Sequence, residues 1–576
     1  MKKKITLIIA LYLVCLSTKA QTYQWAKRIG DGSFIPDQIN AMTTDNQGNI
    51  FVAGFFNDSM DADPGPGIDL LTSMGGDDIF FAKYNSSGNL LWAKSLPGDA
   101  FSFTGKNDRA TKIEVDAKGN VYIVGVFATS VDFDPGPGTA ILSLTYNPTA
   151  NNLFVAKYDA SGNYIWAKNF GKQESVDDRV VIKIDDASAN IYLSGSFTGT
   201  TDFDPGVGVA ALTTAGKDIY IAKYDNAGNY VWAKDIGGAG ATTSAKTWAI
   251  NKNSLGNIII AGTFNSFVDF DPSAANAVLN GNNGNSFFAE YDPSGNYVRA
   301  KSIEGGNSTI FDIVLDTSNN IYIAGSFQGT ADFDMSTSTA ELTASFTDNF
   351  FAKYDAVGNY LFGKKLPGET RFTNAVQPNI AIDSYRNIYV SGYFIGTSGD
   401  FDPGVGIANL TNVSSASSTI FFGKYDVLGN YQWAHKIGNH PGYGYVRASK
   451  INNLNELLIA GTFSGTTDFN PDSPVNNLLD AGAFIAKYTS GSPLGINDYL
   501  KFPNDISIYP NPAYDNLSIQ TAEKLMSVKC TNYLGQNIVL KLENNSVNIS
   551  SLSTGVYLLK IISESGKTTV KKFVKN

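Results

Sequence analysis

VIKIDD (181–186), NIYLSGSF (190–197), DIYIAKYD (218–225) and NYVWAKDIG (229–237) follow one another in the sequence. Each alternates apolar with polar or small residues and is rich in β-branched and aromatic side chains, the mark of a short strand. Tight turns join the first pair and the last pair. In the preceding copy of the unit these turns read Asp116-Ala-Lys-Gly119-Asn120 and Asp159-Ala-Ser-Gly162-Asn163. Glycine supplies the positive φ of such hairpins, and Asp and Asn bond to the turn backbone. One unit is therefore expected to be a four-stranded antiparallel meander, the usual blade of a β-propeller.

The unit recurs every 63 to 71 residues, most visibly at Gly54, Gly125, Gly195, Gly262, Gly325, Gly392 and Gly461. The seventh copy ends after its third strand, AFIAKYTSG (483–491), with no NYxWAK segment behind it. That missing piece stands near the N-terminus as Tyr23-Gln-Trp25-Ala-Lys27. If it completes the last copy, every unit has four strands and two exposed sheet edges disappear. The expected fold is all-β: a seven-bladed propeller over residues 21–490, closed by the N-terminal strand, then a linker at 491–503 and a small β-sandwich at 504–576. High Gly (56), Tyr (29) and Phe (36) contents suit many short strands joined by tight turns.

Over residues 23–490 the AxG, FxAKYDxxGNYxWAK and DFDPGxG elements resemble the SBBP repeats of secreted bacterial seven-bladed propellers. The resemblance implies fold and export but no single chemistry. The tail carries Ile508-Tyr509-Pro510-Asn511-Pro512, Leu517-Ser-Ile519, Leu534-Gly535-Gln536, Leu552-Ser-Thr-Gly555-Val-Tyr557 and Lys571-Lys572-Phe-Val-Lys575. This series resembles the type A sorting domain of the type IX (Por) secretion system. By that resemblance Tyr509, Pro510, Asn511, Pro512, Gly555, Tyr557, Lys571 and Lys572 form the sorting motif, and the secretion machinery is a partner. In that family a β-sandwich directs passage across the outer membrane, which implies a secreted or outer-surface protein.

The first twenty residues read as a signal peptide: Lys2 to Lys4, an apolar run from Ile5 to Leu16, and Thr18-Lys19-Ala20, with cleavage between Ala20 and Gln21. The run is too short to span a bilayer, and no later segment reaches spanning length, so the mature chain is expected to lack a transmembrane segment. Cleavage removes Cys15 and leaves Cys530 as the single thiol, so no internal disulfide is expected. The 576-residue chain carries a net charge of −10, yet residues 498–576 hold nine Lys against six acidic residues. The repeats are thus strongly acidic, which argues against nucleic acid as a partner and suits cations or neutral glycans.

Two repeated features are candidate sites. Acidic pairs recur at Asp61/Asp63, Asp132/Asp134, Asp202/Asp204, Asp269/Asp271, Asp332/Asp334 and Asp400/Asp402, with Asp468 and Asn470 in the seventh copy. They lie in the long second-to-third connections, expected on the face of the disc opposite the short turns. Alternate carboxylates in a Gly-containing loop are candidate calcium ligands. The other reading is that each Asp caps a turn whose backbone Pro and Gly fix. Trp25, Trp92, Trp166, Trp232 and Trp433 share one fourth-strand position, filled by Arg299 and Phe362 in the other two copies. They read as inter-blade packing residues, with sugar stacking as the rival role.

One active site needs residues that break the repeat, and the two histidines, His435 and His440, stand beside no nucleophile motif. The leading expectation is a non-enzymatic binding or adhesion scaffold for a surface glycan, matrix component or protein. The rivals are a secreted polysaccharide-active enzyme with a cross-blade carboxylate site and a structural surface-layer component.

Overall fold

A computed structural model of the chain describes residues 22–30, 37–74, 76–98, 108–143, 151–173, 180–238, 240, 243–369, 377–415, 417–438, 442–472, 474–489, 506–521, 524–532, 536–563 and 568–576. The expected signal segment with Ala20 and Gln21, His440, and the whole of the expected linker lie outside the described residues. The described residues are all-β, with no helix long and apolar enough to cross a membrane. The chain divides into two compact units, one of them Gln21–Ser490 and the other containing Gly491–Asn576.

Within Gln21–Ser490 each of the first six repeats forms four antiparallel strands in sequence order, and the seventh forms three. The first sheet is Gln38–Thr44, Ile50–Phe56, Asp78–Tyr84 and Leu90–Leu96. The first strands of the other six are Arg109–Val115, Val181–Ile184, Ser244–Lys252, Asn307–Leu315, Asn379–Ile382 and Gly444–Ile451. Each packs beside the first strand of the next sheet, and Gly444–Ile451 packs beside Gln38–Thr44. Residues from all seven first strands line one central cavity. A lone parallel pairing, Lys217 with Ser244, links the third and fourth sheets.

The seventh sheet takes its fourth strand from the other end of the unit. Tyr23–Ile29 pairs antiparallel with Gly482–Thr489, with Trp25 opposite Lys487 and Ile29 opposite Ala483. In the second sheet the third-to-fourth turn is closed by Asp159 N–H donating to the Asn163 carbonyl at 2.9 Å. In the seventh, Thr489 N–H donates to the Thr22 carbonyl, also at 2.9 Å. The same bond forms with no covalent turn beneath it.

The recurring glycine follows from a bulge in the first strand. Registers shift between Ile39 and Ala41, Ala110 and Lys112, Thr247 and Ala249, and Val446 and Ala448. The bulge presses a carbonyl onto the second strand. A Cβ at Gly54, Gly125, Gly262 or Gly461 would lie within 2 Å of the oxygen of Gln38, Arg109, Lys246 or Tyr445, respectively. Between sheets the core is aliphatic and aromatic. Ile29, Phe80, Met60 and Ile485, drawn from the seventh and first sheets, share one buried cluster. Burying each such side chain stabilises the fold by about 1.5–3 kcal/mol.

The C-terminal unit has two four-stranded antiparallel sheets that share one core, including Leu517, Ile519, Cys530, Val547, Leu559 and Phe573. Cys530 is a free thiol, pushed up to about 11 by burial.

Candidate functional site

The acidic loops are built alike in every copy. Asp61 Oδ1 accepts the N–H groups of Asp63 and Asp69, and Asp63 Oδ1 accepts that of Gly65. The same first-carboxylate bonds recur at Asp132, Asp202, Asp269, Asp332, Asp400 and Asp468. The second carboxylate repeats the Asp63 bond at Asp134, Asp204, Asp271, Asp334 and Asp402. A Cβ at Gly67 or Gly138 would collide with the Asp63 or Asp134 carboxylate, which explains the second glycine of the Pro-Gly-x-Gly run. Among the described residues no three His, Cys, Asp or Glu side chains are placed to hold a metal ion.

These loops do not crown the face opposite the short turns, where the sequence placed them. Each is a small hairpin laid along the seam between two sheets. In five copies the first Asp bonds through the backbone to the end of the preceding sheet's fourth strand: Gly30 to Asp61, Pro97 to Asp132, Gly237 to Asp269, Glu304 to Asp332 and Gly438 to Asp468. The tyrosine that ends the third strand donates to the carbonyl between the two acids. Tyr84 bonds Ala62, Tyr158 bonds Phe133, Tyr224 bonds Phe203 and Tyr488 bonds Phe469, at 2.9–3.1 Å. The loop tip thereby reaches the level of the short turns, with Pro205 lining one small cavity with Gly228 and Trp166. The physical reason is apolar burial. Met60, Ala62, Val131, Phe133 and Phe203 sit inside inter-sheet clusters, and that gain draws the hairpins down.

The fourth-strand aromatics lie on the same seams. Trp25 touches the space above Gly88, Trp92 that above Gly162, Trp166 that above Gly228 and Trp232 that above Gly295, each glycine belonging to the next sheet's third-to-fourth turn. Trp92 and Trp166 donate their indole N–H to Ala160 and Asn226 carbonyls of that turn. Trp433 packs on Phe422 and His435 and joins a cluster that contains Tyr23. His435 is held between these rings, and burial lowers its pKa.

Symmetry breaks most sharply in the third sheet. Asp235 stands where the second and fifth sheets have Asn169 and Lys365, and it faces Tyr220 where those sheets have phenylalanine. Two residues along the strand lies Asp218. In the fifth sheet the equivalent acid, Asp348, pairs with Lys365 at 3.4 Å. In the third the partner position is a second acid. Asp218 and Asp235 line a cavity of about 400 Å3 together with Asp269, Asp271 and Thr214. Asp218 is held by Thr214 at 2.6 Å, and burial raises its pKa. Asp235 has a buried Oδ1 without a hydrogen-bond partner. Burial first and then the Asp218 charge push Asp235 up to about 7. Periodicity alone did not single out this pair: Asp218 recurs as Asp78 and Asp348, and only the acid at 235 departs from the other copies.

The pair makes stability depend on pH. An unfolded aspartate titrates near 4, so between about pH 4 and pH 7 the folded chain keeps a proton that the unfolded chain has released. That stabilisation is complete below about pH 4 and is lost as pH rises through about 7. Asp235→Asn, which restores the second sheet's residue, is expected to raise the melting temperature at pH 8 and to change it little at pH 5. Thermal unfolding at the two pH values checks this, and an equal shift at both would refute it.

In the C-terminal unit the sorting-motif residues fall into two groups. Asn511 donates to the Lys572 carbonyl at 3.0 Å and accepts from Val574 N–H at 2.9 Å, which ties the Tyr509–Pro512 segment to the last strand. Tyr509, Pro510, Pro512 and Lys572 are exposed. Gly555 pairs with Lys575 and Leu559 with Lys571, while Tyr557 stacks on Phe573 at 5.5 Å and donates to the Ser553 carbonyl.

Comparison with known proteins agrees with this division. The chain is 26% identical over 515 residues to an uncharacterized WD repeat-containing protein, L264, of Acanthamoeba polyphaga mimivirus; the match covers 76% of this chain and 36% of that protein. The chain therefore spans about a third of its relative's length. Among solved structures, a family PL25 ulvan lyase is 13% identical, with 79% of this chain and 97% of the lyase covered and a TM-score of 0.39. The polysaccharide lyase Uly1 is 10% identical, with 81% and 100% covered and a TM-score of 0.38. Residues 507–576 match the secretion system C-terminal sorting domain. The protein is thus exported by the type IX system to the cell surface or beyond it.

Proposed function

We propose that the seven sheets close into a seven-bladed β-propeller of the SBBP kind, and that it acts outside the cell as a non-enzymatic binding scaffold for a glycan, matrix component or protein. Residues 1–20 serve in this reading as the signal peptide that precedes type IX export. The pairing of Tyr23–Ile29 with Gly482–Thr489 and the run of first strands around one cavity support closure. One observation carries the scaffold reading: the repeated carboxylates are spent on backbone N–H groups. They close each hairpin on itself, and the hairpin backbone then bonds across the seam. We accordingly assign those aspartates to architecture and leave calcium out of the mechanism.

A second reading has one observation in its favour. Asp218 and Asp235 place two carboxyls in one cavity, and Asp235, pushed up to about 7 by burial and then by the Asp218 charge, is tuned to exchange a proton near neutral pH, as the acid–base group of a hydrolase or lyase is. Incubating the purified protein with a panel of neutral and acidic polysaccharides separates the two. Saturable binding without chain cleavage is expected. Product release that Asp218→Asn abolishes would reverse the assignment.

A further inference from the structure

The bulges in the first strands of the first, second, fourth, fifth and seventh sheets each present one extra side chain beside the central cavity, and in the first two sheets that side chain bonds to a neighbouring strand or the residue beside it. Asn40 donates to the Ala110 carbonyl at 2.9 Å, and Thr111 donates to the Val180 carbonyl at 2.9 Å. Trp248 packs against Phe311, the bulge residue of the next sheet, with ring centres 5.2 Å apart. The seventh sheet carries Arg447 at this position. Its Nε is buried with no hydrogen-bond partner, and among the described residues its guanidinium has no acidic partner. Burial lowers its pKa, and the nearby Arg109 charge adds to that. A buried guanidinium N–H left without an acceptor is costly, because it has given up water and gained no hydrogen bond in return.

The cavity around it is positive inside an acidic protein. Its charged lining is Lys112, Lys183, Lys450 and Arg447 against Glu114 and Asp312. Glu114 is taken by Lys183 at 3.0 Å, and Asp312 accepts the N–H groups of Ile313 and Ile380. Beside Arg447, Tyr445 lies 5.9 Å below the guanidinium, edge-on to Tyr393 and stacked with Tyr443. The cavity measures about 90 Å3, room for an oxyanion at about 30 Å3 per water-sized group but not for a sugar ring.

We propose that Arg447 is a receptor for a single oxyanion, the carboxylate or sulfate of an acidic saccharide, entering the central cavity while its sugar rests against Tyr443 and Tyr445. The proposal rests on the scaffold reading and specifies its ligand. Arg447 offers a planar fork that suits two oxygens of one carboxylate or sulfate, and the positive lining draws anions past an acidic exterior.

Titration calorimetry on the full exported chain tests this with sodium glucuronate, sodium sulfate and glucose, at constant ionic strength set by chloride. One-site binding of glucuronate, displaced by sulfate, is expected, with no heat from glucose. Glucuronate heat that sulfate does not displace assigns a uronate-only pocket and overturns the shared-oxyanion claim. Arg447→Gln is expected to weaken binding at least tenfold, and Arg447→Lys to keep part of it. Unchanged affinity in Arg447→Gln, or no glucuronate binding by the wild-type chain, overturns the proposal. If neither variant folds, the wild-type titration decides alone. Polysaccharides that bind wild type and Arg447→Gln equally would leave the scaffold reading standing and remove this site from it.

Discussion

Removing residues 22–29 is expected to abolish folding of the Gln21–Ser490 unit. Ile29 is fully buried in the cluster shared by the seventh and first sheets, and losing a side chain of that kind costs about 2–5 kcal/mol. Six residue pairs between Tyr23–Ile29 and Gly482–Thr489 go with it, each backbone hydrogen bond worth about 0.5–1.5 kcal/mol net. The sum rivals the 5–15 kcal/mol, roughly, that holds a whole domain folded. It also bares the edge of Gly482–Thr489, which invites aggregation. Trp25→Ala alone should cost about 2–3 kcal/mol, below the ~3–5 kcal/mol of a fully buried aromatic because its ring is only partly buried. The decisive control moves the strand rather than deleting it. A chain that starts at residue 37, runs to Thr489, continues through Ala-Ser-Gly and ends with residues 22–30 has the turn of residues 159–163 in place of the break. Its φ-positive glycine matches Gly162 at +78°. Circular dichroism and thermal unfolding should find the truncation unfolded and the permuted chain cooperative. A truncation that melts like wild type would show that the strand is dispensable.

The strand set was legible in the sequence because period-two alternation and Asp-x-x-Gly-Asn turns are local signals, and these local signals agree with the pairing across the unit. Even the displaced strand showed, since a unit that lacks its fourth strand at one end and has a spare at the other needs only counting. The seam hairpins were not legible. Asp61 and Asp63 look alike whether their loop stands free or lies down, and only Tyr84, more than twenty residues on, decides between the two by its bond to Ala62. Arg447 and Asp235 escaped for a different reason. Repeats draw attention to what recurs, whereas a site is made by what departs, and a departure has meaning only once bulge and register are known. Gly54 shows the gap well: its recurrence was plain, but its cause, the Gln38 carbonyl pressed against it, belongs to another strand.

Deleting residues 507–576 is expected to hold nearly all of the protein in the periplasm while leaving the repeats folded. The sorting match covers just this segment. Its core is made of its own residues, from Ala513 and Leu517 to Phe573, so its removal takes no side chain from the repeat clusters. Transport and folding should therefore separate cleanly. Cell fractionation with immunoblotting, in a host that has the type IX machinery, reads the first; protease resistance of the retained protein reads the second. The reciprocal experiment is stricter. Residues 507–576 fused behind an unrelated periplasmic protein should carry it to the surface or the medium. Asn511→Ala in that fusion should reduce export, because it frees the Tyr509–Pro512 segment from the last strand at Lys572 and Val574. Lys571→Ala, whose backbone pairing with Leu559 needs no side chain, separates recognition from folding: loss of export with the tail still folded makes the lysine a contact for the machinery. Normal surface display of the 507–576 deletion would mean that another segment addresses the protein, and the export route would then have to be read from the repeats themselves.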